Sequence, residues 1–571
     1  MATDINFLVG GEAGQGVQSV GFILGKTLAR GGYHVFADQD YESRIRGGHN
    51  FFRVRASDAE VRALRDSIEV LVALNQETVE LHRNRVVNGG LILTDEGRTE
   101  KGVIDGNVFG VPLDQIAMES AGNRLMSNTV AVGAALALVD YDLAALERVV
   151  YENFHGGDIG DANIRAAAAG YRFARDNFKG QMNFLVRPVG EVSKMFLNGH
   201  EAVSLGALAA GCKFMAAYPM TPASSILEYI AAKGKDLGVV VVQPEDEIAA
   251  VNMTVGAAFA GARSMTATSG SGFALMVEAV GLAGITETPI VIVNGQRPGP
   301  AVGLPTRTEQ GDLAFVIHTS PGEFPRAVLA PATVEDCFWL TVKAFNLAEM
   351  YQIPVIILTD QYIASSYATV DKFDLSRVMI NRGELLTGAE AASDYKRHLI
   401  TASGVSPRAI PMEGEAIVAT DSDEHDEEGH LIEDAATRKA MVSKRLRKRE
   451  GLVRDMGPPR VSGPENADVM LVGWGSTYGA IMEAAGLLEN EGVTVSVLHM
   501  NEIWPFPSET VAPFLGRARK TLVVENNATG QLARLIRAET GIKLSGGINK
   551  FDGRPFSALE IARQVKKEVA A

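Results

Sequence analysis

Val239-Val-Val-Val-Gln-Pro-Glu-Asp-Glu-Ile-Ala-Ala250 is the stretch from which the fold of this chain is read. Four consecutive valines read as a strand buried on both faces, the kind found in parallel sheets covered by helices. Pro244 ends the strand, three acids follow, and Ile248, Val251, Met253, Val255, Ala258 and their small neighbours open a helix that can pack closely. Glu245 and Asp246 read as solvated acids at the positive end of that helix. Glu247 opens the apolar stripe. It is either one more capping acid or a carboxylate drawn toward a dry interface, where its proton becomes useful.

The same texture extends on both sides. A helical pattern begins at Asn198-Gly-His-Glu-Ala202, and apolar strands are expected at 213–217, 238–243, 263–268, 289–294 and 354–359, alternating with helices. Ligands of such sheets bind beyond the carboxyl ends of the strands, and unusual residues fall there. Tyr218-Pro-Met-Thr-Pro222 holds Thr221 between two prolines that restrict the backbone; the hydroxyl either contacts a ligand or, like Ser224, caps the following helix. Gly270-Ser-Gly272 exposes backbone. Asn294-Gly-Gln-Arg-Pro-Gly-Pro300 sets Arg297 at the same edge, with Thr306 and Arg307 a short loop further on. Arg297 is either a carboxylate clamp or half of a structural salt bridge.

Residues 5–10 read as a strand that enters Gly11-Glu-Ala-Gly-Gln-Gly16 and then a helix from Val17 to about Arg30. A Gly-rich strand-to-helix turn suits a phosphate, or it is a tight turn that binds nothing. It lacks a Walker lysine, and Asp38 and Asp40 are the only candidates for holding a ribose. Arg44, Arg46 and His49 either add positive charge nearby or pair with carboxylates. Strands at 33–37 and 51–55 complete an α/β region to about residue 185. From Val469, strands at 469–473, 493–499 and 521–525 alternate with helices. The expected organisation is therefore α/β throughout, with α/β domains at 1–187, 188–380 and 461–571 and a polar, partly helical linker at 381–460. Within the linker, the acidic run 421–434 reads as a solvated loop, its histidines and acids lacking rigid metal-ligand spacing.

Length and composition agree. The 571 residues exceed one core, since single cores stop growing at roughly 250–300. With 46% hydrophobic and 22% charged residues, the chain can bury enough apolar surface to order itself. A formal charge of −15 argues against nucleic acid, which needs clustered lysine and arginine. No stretch approaches about 18 uninterrupted apolar residues, and the first residues lack a basic leader pattern, so a cytoplasmic chain without membrane contact is expected. Cys212 and Cys337 are the only cysteines. They leave no disulfide framework and no iron–sulfur ligand set.

Tyr-Pro-Met-Thr-Pro (218–222), Glu-Asp-Glu-Ile-Ala-Ala (245–250), Thr-Ser-Gly-Ser-Gly-Phe (268–273) and Gln-Arg-Pro-Gly-Pro (296–300), in that order, resemble the pyrimidine-binding domain of 2-oxoacid:ferredoxin oxidoreductases. Gly-Glu-Ala-Gly-Gln-Gly-Val and Arg-Ile-Arg-Gly-Gly-His resemble that family's gamma domain, here fused ahead of the alpha portion. Gly473-Trp-Gly-Ser476 and Val524-Glu-Asn-Asn-Ala-Thr-Gly-Gln531 resemble its transketolase-C-like domain. The wording of the 421–434 run is similar to the 2-oxoglutarate-type alpha subunits.

The resemblance implies thiamine diphosphate as cofactor and coenzyme A as cosubstrate. It makes Glu247 the carboxylate on N1′ of the aminopyrimidine, with Tyr218, Pro219, Ser269 and Gly270 lining the cofactor. Thr221, Arg297 and Thr306 become the ligands of the 2-oxoacid, and Gly11, Gly14 and Gly16 the place to seek coenzyme A. The family's Gly-Asp-Gly…Asn diphosphate motif is missing; Gly157-Asp-Ile-Gly160 and Gly311-Asp-Leu313 are the nearest approaches. A Cys-rich beta subunit carrying that motif, Mg2+ and a [4Fe-4S] cluster is therefore implied, in an (alpha-beta)2 complex that reduces ferredoxin. 2-Oxoglutarate is favoured as substrate, ahead of pyruvate and branched-chain 2-oxoacids. The competing readings are a non-oxidative thiamine-dependent subunit and a non-catalytic regulatory subunit.

Overall fold

A computed structural model describes residues 3–43, 47–99, 107–180, 182–190 and 194–570. The chain divides into two compact units, Met1–Asn198 with Ser365–Phe373, and Gly199–Ala364 with Asp374–Ala571.

The first unit is built on an eight-stranded mixed sheet. Asp4–Ala13 lies at its centre, parallel to Ile68–Ala73 on one side and antiparallel to Gly47–Ser57 on the other. Phe7 and Val9 on this strand and Val20, Ile23, Leu24 and Leu28 on helix Val17–Arg30 meet in one buried cluster. His34–Asp40 comes next in the sheet, followed by Tyr367–Val370 and Met195–Asn198. Those last two strands lie in the stretch that the sequence assigns to the second region; Tyr367–Val370 pairs with His34–Asp40 and Met195–Asn198 with Tyr367–Val370, which carries both into the first unit instead.

The second unit contains a seven-stranded sheet in the order Glu502–Trp504, Ala327–Leu329, Pro354–Asp360, Ile290–Gln296, Ser264–Thr268, Phe214–Ala216, Val240–Val242. All pairs are parallel except that of Glu502–Trp504 with Ala327–Leu329. The five strands expected from sequence are present. Ala327–Leu329 and Glu502–Trp504 were not expected, and the second of these comes from the C-terminal region. A five-stranded sheet with Val469–Trp474 in its middle completes the unit. One hydrophobic cluster joins both sheets, from Val251, Phe273 and Ile292 to Trp474, Leu498 and Leu532.

The 381–460 stretch is partly helical, as expected, but its helix is packed into the unit. Its Ala435–Asp455 helix turns Lys444 and Lys448 inward onto Glu287, and all three side chains are buried. The 421–434 run is solvated at Ser422, Asp423, His430, Leu431, Glu433 and Asp434, but not throughout. His425 is buried, and Glu424 pairs with Arg445 and Arg438 of the same helix, which lowers its pKa to about 2 against the opposing effect of burial. Like charges close in sequence read as solvated; here the neutralising charges arrive one helix later.

Candidate active site

The turns beyond the carboxyl ends of the second unit's parallel strands gather the candidate residues. Asp246 takes the capping role: its Oδ1 accepts the Ala249 N–H at 2.8 Å, at the start of helix Glu247–Phe259. Glu247 is thereby free of that task. It is 3% exposed, and its buried Oε1 has no hydrogen-bond partner among the described residues. A buried carboxylate oxygen without a donor is costly, so it marks a place where a donor belongs.

The space beside it is set by a glycine. A Cβ at Gly272 would stand 2.1 Å from Thr268 Oγ1 and 2.6 Å from Glu247 Oε1. Ser269, fully buried at the start of helix Gly270–Ile285, makes no capping bond, and its Oγ is also without a partner.

At the end of the neighbouring strand, Asn294 donates to Asp312 Oδ2 at 3.1 Å but leaves its own Oδ1 unpartnered. Arg297 is 8% exposed and donates through Nη1 to the Thr221 carbonyl at 2.7 Å, while its Nε finds no acceptor. Burial lowers its pKa, and Asp312 partly opposes this. Among the described residues Arg297 forms no salt bridge, so the structural-pair reading is not what is seen. Nor does a side chain cap helix Ser224–Lys233, so neither Thr221 nor Ser224 has the capping role considered for it. Thr221 is half-buried, Thr306 is 9% exposed, and Tyr218 and Pro219 are exposed at the same edge.

Sequence reasoning noticed Asp312 only as part of a broken diphosphate motif. In the structure its backbone N–H donates to Gln296 Oε1 at 3.0 Å, and its carboxylate fills the space that a Cβ on Gly270 would take. Burial raises its pKa, offset by Asn294 and Arg297. Gln310 was missed altogether. Its backbone N–H donates to the Asn526 carbonyl at 2.7 Å, its Nε2 donates to the Trp474 carbonyl at 2.8 Å and its Oε1 accepts from the Asn526 N–H at 3.0 Å, which stitches the Thr306–Asp312 loop to the C-terminal sheet. Gln531 adds a second stitch through Gly311 O and Ala314 N. Ser476 donates to the buried Asp360 at the end of strand Pro354–Asp360.

In the first unit, Gly14 and Gly16 take positive φ, which glycine adopts without strain, and the Asn128 side chain fills the space beside Gly16; Gly11 lies within the central strand, where a Cβ would press on Gln15 and Leu74. Asp38 is held by Arg53. His49 pairs with His82 at 2.8 Å rather than with a carboxylate, and burial lowers its pKa, so it adds no positive charge there at neutral pH. Arg44 and Arg46 lie outside the described residues. No group of three or more His, Cys, Asp or Glu among the described residues is placed to hold a metal ion, and no helix is long and apolar enough to cross a membrane.

Four buried polar atoms without partners stand around a glycine-widened turn at the carboxyl ends of the parallel strands, with the C-terminal sheet stitched alongside. Residues 205–444 match the family model described as pyruvate flavodoxin/ferredoxin oxidoreductase, thiamine diphosphate-binding, residues 6–173 that of pyruvate ferredoxin/flavodoxin oxidoreductase, and residues 461–541 the transketolase C-terminal domain. The chain is 32% identical to the 2-oxoacid:ferredoxin oxidoreductase subunit alpha of a Sulfolobus species, over 99% of this chain and 97% of that one. It is 28% identical to the 2-oxoglutarate oxidoreductase subunit KorA of Mycobacterium tuberculosis, over 98% and 91%. A solved 2-oxoglutarate:ferredoxin oxidoreductase from Magnetococcus marinus, with 2-oxoglutarate, coenzyme A and succinyl-CoA bound, superposes with a TM-score of 0.91 at 34% identity, over 99% of this chain and 100% of that chain. The chain belongs to the 2-oxoacid:ferredoxin oxidoreductase family and is an alpha-type subunit with a thiamine-diphosphate-binding domain.

Proposed function

We propose that the chain is the subunit that activates thiamine diphosphate in a 2-oxoglutarate:ferredoxin oxidoreductase, interconverting 2-oxoglutarate, coenzyme A and two oxidised ferredoxins with succinyl-CoA, CO2, a proton and two singly reduced ferredoxins. The observation that carries this reading is the buried, partnerless Oε1 of Glu247 beside Gly272. Bound thiamine diphosphate supplies the nucleophilic carbon and the electron sink for loss of CO2. Glu247 would hold a proton against a ring nitrogen of the aminopyrimidine, with Tyr218, Pro219, Ser269 and Gly270 lining that ring. Arg297, drawn back by the Thr221 carbonyl, would offer its remaining N–H groups to the oxo-carboxylate end of the substrate, with Thr221 and Thr306 as hydroxyl donors.

The choice of 2-oxoglutarate is supported by the relatives named for it and by the oxoacid bound in the Magnetococcus enzyme. Coenzyme A is sought at the Gly11, Gly14 and Gly16 turn. The partner is a Cys-rich beta subunit that brings Mg2+, the diphosphate motif and a [4Fe-4S] cluster. This chain offers only two cysteines, both buried. Ile248 and Met253 on the helix of Glu247, Leu275 on the next helix, and Val302 and Leu304 in the following loop are 42–61% exposed, an apolar rim suited to closure by such a partner.

The test is anaerobic co-expression with the Cys-rich partner and an assay of coenzyme-A-dependent viologen reduction, with 2-oxoglutarate and pyruvate offered separately. Reduction with 2-oxoglutarate alone is expected. Reduction with pyruvate instead would overturn the substrate. A complex loaded with thiamine diphosphate and cluster that reduces the dye with neither acid would point to non-oxidative chemistry.

A further inference from the structure

Arg326 is buried, 6% exposed, at the start of strand Ala327–Leu329. Its guanidinium lies over the Phe324 ring, 4.1 Å from the centroid, and Nη1 donates to the Thr319 carbonyl. No carboxylate among the described residues forms an ion pair with it, although the chain as a whole carries a net charge of −15. Burial alone pushes its pKa down to about 10, with no opposing charge nearby. An arginine has five N–H donors, and a buried cation without a counter-ion is costly.

Arg326 also lines a cavity of about 320 Å³. Leu446, Arg449 and Leu452 on helix Ala435–Asp455 form another wall, with Trp504 and Pro505 behind. Arg449 is half-exposed, lies 5.9 Å from the Trp504 ring centroid and reaches Glu539 only loosely, at 3.9 Å. His318 and Glu323 stand exposed at the rim.

The segment that carries these groups is held in an uncommon conformation. Ser320 has φ of +71°, costly for a serine, and it is kept there by a bond to the Val277 carbonyl at 2.8 Å. Ser320 and Phe324 rest where Cβ atoms on Gly281 and Gly284 would stand. The fold therefore holds the rim of this cavity in place, well along helix Gly270–Ile285 from its Glu247-facing end.

We propose that this cavity binds a small organic phosphate carrying a planar ring, of the size of a nucleoside monophosphate. Two guanidinium groups suit a phosphate monoester, which carries about −1.5 to −2 charges at neutral pH, better than a single carboxylate, and the planar fork of Arg326 matches phosphate oxygens. The volume exceeds what an inorganic ion fills and falls within the range of small-molecule sites, roughly 300–1,000 Å³. Trp504 and Leu446 provide apolar surface for the ring.

The test is calorimetric titration of the assembled enzyme with AMP, adenosine and inorganic phosphate. AMP is expected to bind saturably, adenosine at least tenfold more weakly, and inorganic phosphate to compete. Arg449→Ala, at the rim, and Arg326→Gln should each weaken AMP at least tenfold while leaving coenzyme-A-dependent dye reduction unchanged. Because Arg449 is half-exposed, its variant remains informative if Arg326→Gln fails to fold. No saturable binding of AMP or phosphate by the assembled enzyme up to millimolar concentration, AMP binding no tighter than adenosine, or AMP binding unaffected by Arg449→Ala would each overturn the proposal.

Discussion

Two buried polar regions of the second unit contrast sharply. Around Glu287 the carboxylate is answered by charge: Lys444 and Lys448 form ion pairs with it and His398 lies 3.0 Å from Oε1, and even Oε2, which makes no regular hydrogen bond, faces the Lys448 ammonium; all four side chains are below 2% exposure. Around Glu247 the polar atoms are buried and left open, with Glu247 Oε1, Ser269 Oγ, Asn294 Oδ1 and Arg297 Nε all lacking partners. Folding tolerates the second arrangement only at a cost, because each unsatisfied group forfeits the hydrogen bond it had in water. A closed cluster is explained by stability, an open one by what it is built to receive.

The sharpest way to break this comparison is Glu247→Gln. If Glu247 acts on the cofactor, dye reduction by the assembled enzyme should fall by about 10²–10⁴ with bound thiamine diphosphate retained. Its thermal midpoint should stay the same or rise, since no ion pair is lost. An unchanged rate would return Glu247 to a structural role.

Glu287→Ala is the converse. It strands Lys444 and Lys448 without their carboxylate, a loss of about 3–5 kcal/mol for a broken buried pair, seen as a lower thermal midpoint, with kcat at 25 °C within about twofold of the parent. Burial raises the Glu287 pKa, but Lys448, Lys444 and His398 outweigh it and hold the carboxyl well below its ordinary 4.5. The folded value lies under the unfolded one, so this contribution is present above about pH 4.5 and is lost as pH falls through the depressed native value. The parent should therefore show an acid-side loss of stability that Glu287→Ala lacks.

Gly272→Ala probes the geometry between these extremes. The added Cβ must displace Thr268 Oγ1 or the Glu247 carboxylate, an overpacking of about 1–3 kcal/mol. A carboxylate moved by a few tenths of an ångström should lower kcat about tenfold with little change in KM. Equal losses of activity and stability would mean that the turn, rather than Glu247, had been disturbed.

The open region was far more legible in the sequence than the closed one. Val239–Val242 and the strands at 264–268, 290–296 and 354–360 announce themselves through β-branched runs, and the odd residues at their ends mark the site. The cluster at Glu287 was invisible, because its partners lie 111–161 positions away, on a stretch whose composition reads as solvated. Ala327–Leu329 is too short for periodicity to reveal, and nothing local tells Glu502–Trp504 to join another region's sheet. Gln310 and the role of Asp312 were missed for a related reason: both arise from contacts across the fold, with Asn294, Asn526 and Trp474.

Asp312→Asn should have the smallest effect, and it tests how open the site is. The carboxylate lies where a Cβ on Gly270 would stand, accepts from Asn294 and opposes the charge of Arg297. Asparagine can keep the bond from Asn294 through its Oδ1 while removing the negative charge. If Arg297 binds the oxo-carboxylate, its charge then acts unopposed, and KM for the 2-oxoacid should fall about two- to fivefold at low salt, less at high salt. Burial holds the Asp312 pKa above its ordinary 3.8. The native carboxyl therefore keeps its proton to higher pH than the unfolded one, and stability declines as pH rises from about 3.8 through the raised native value. The variant should flatten that slope. A KM that rises instead would make Asp312 a positioning residue that aims Arg297 rather than a counterweight to it, and this edge of the site would then resemble the closed cluster more than the open one.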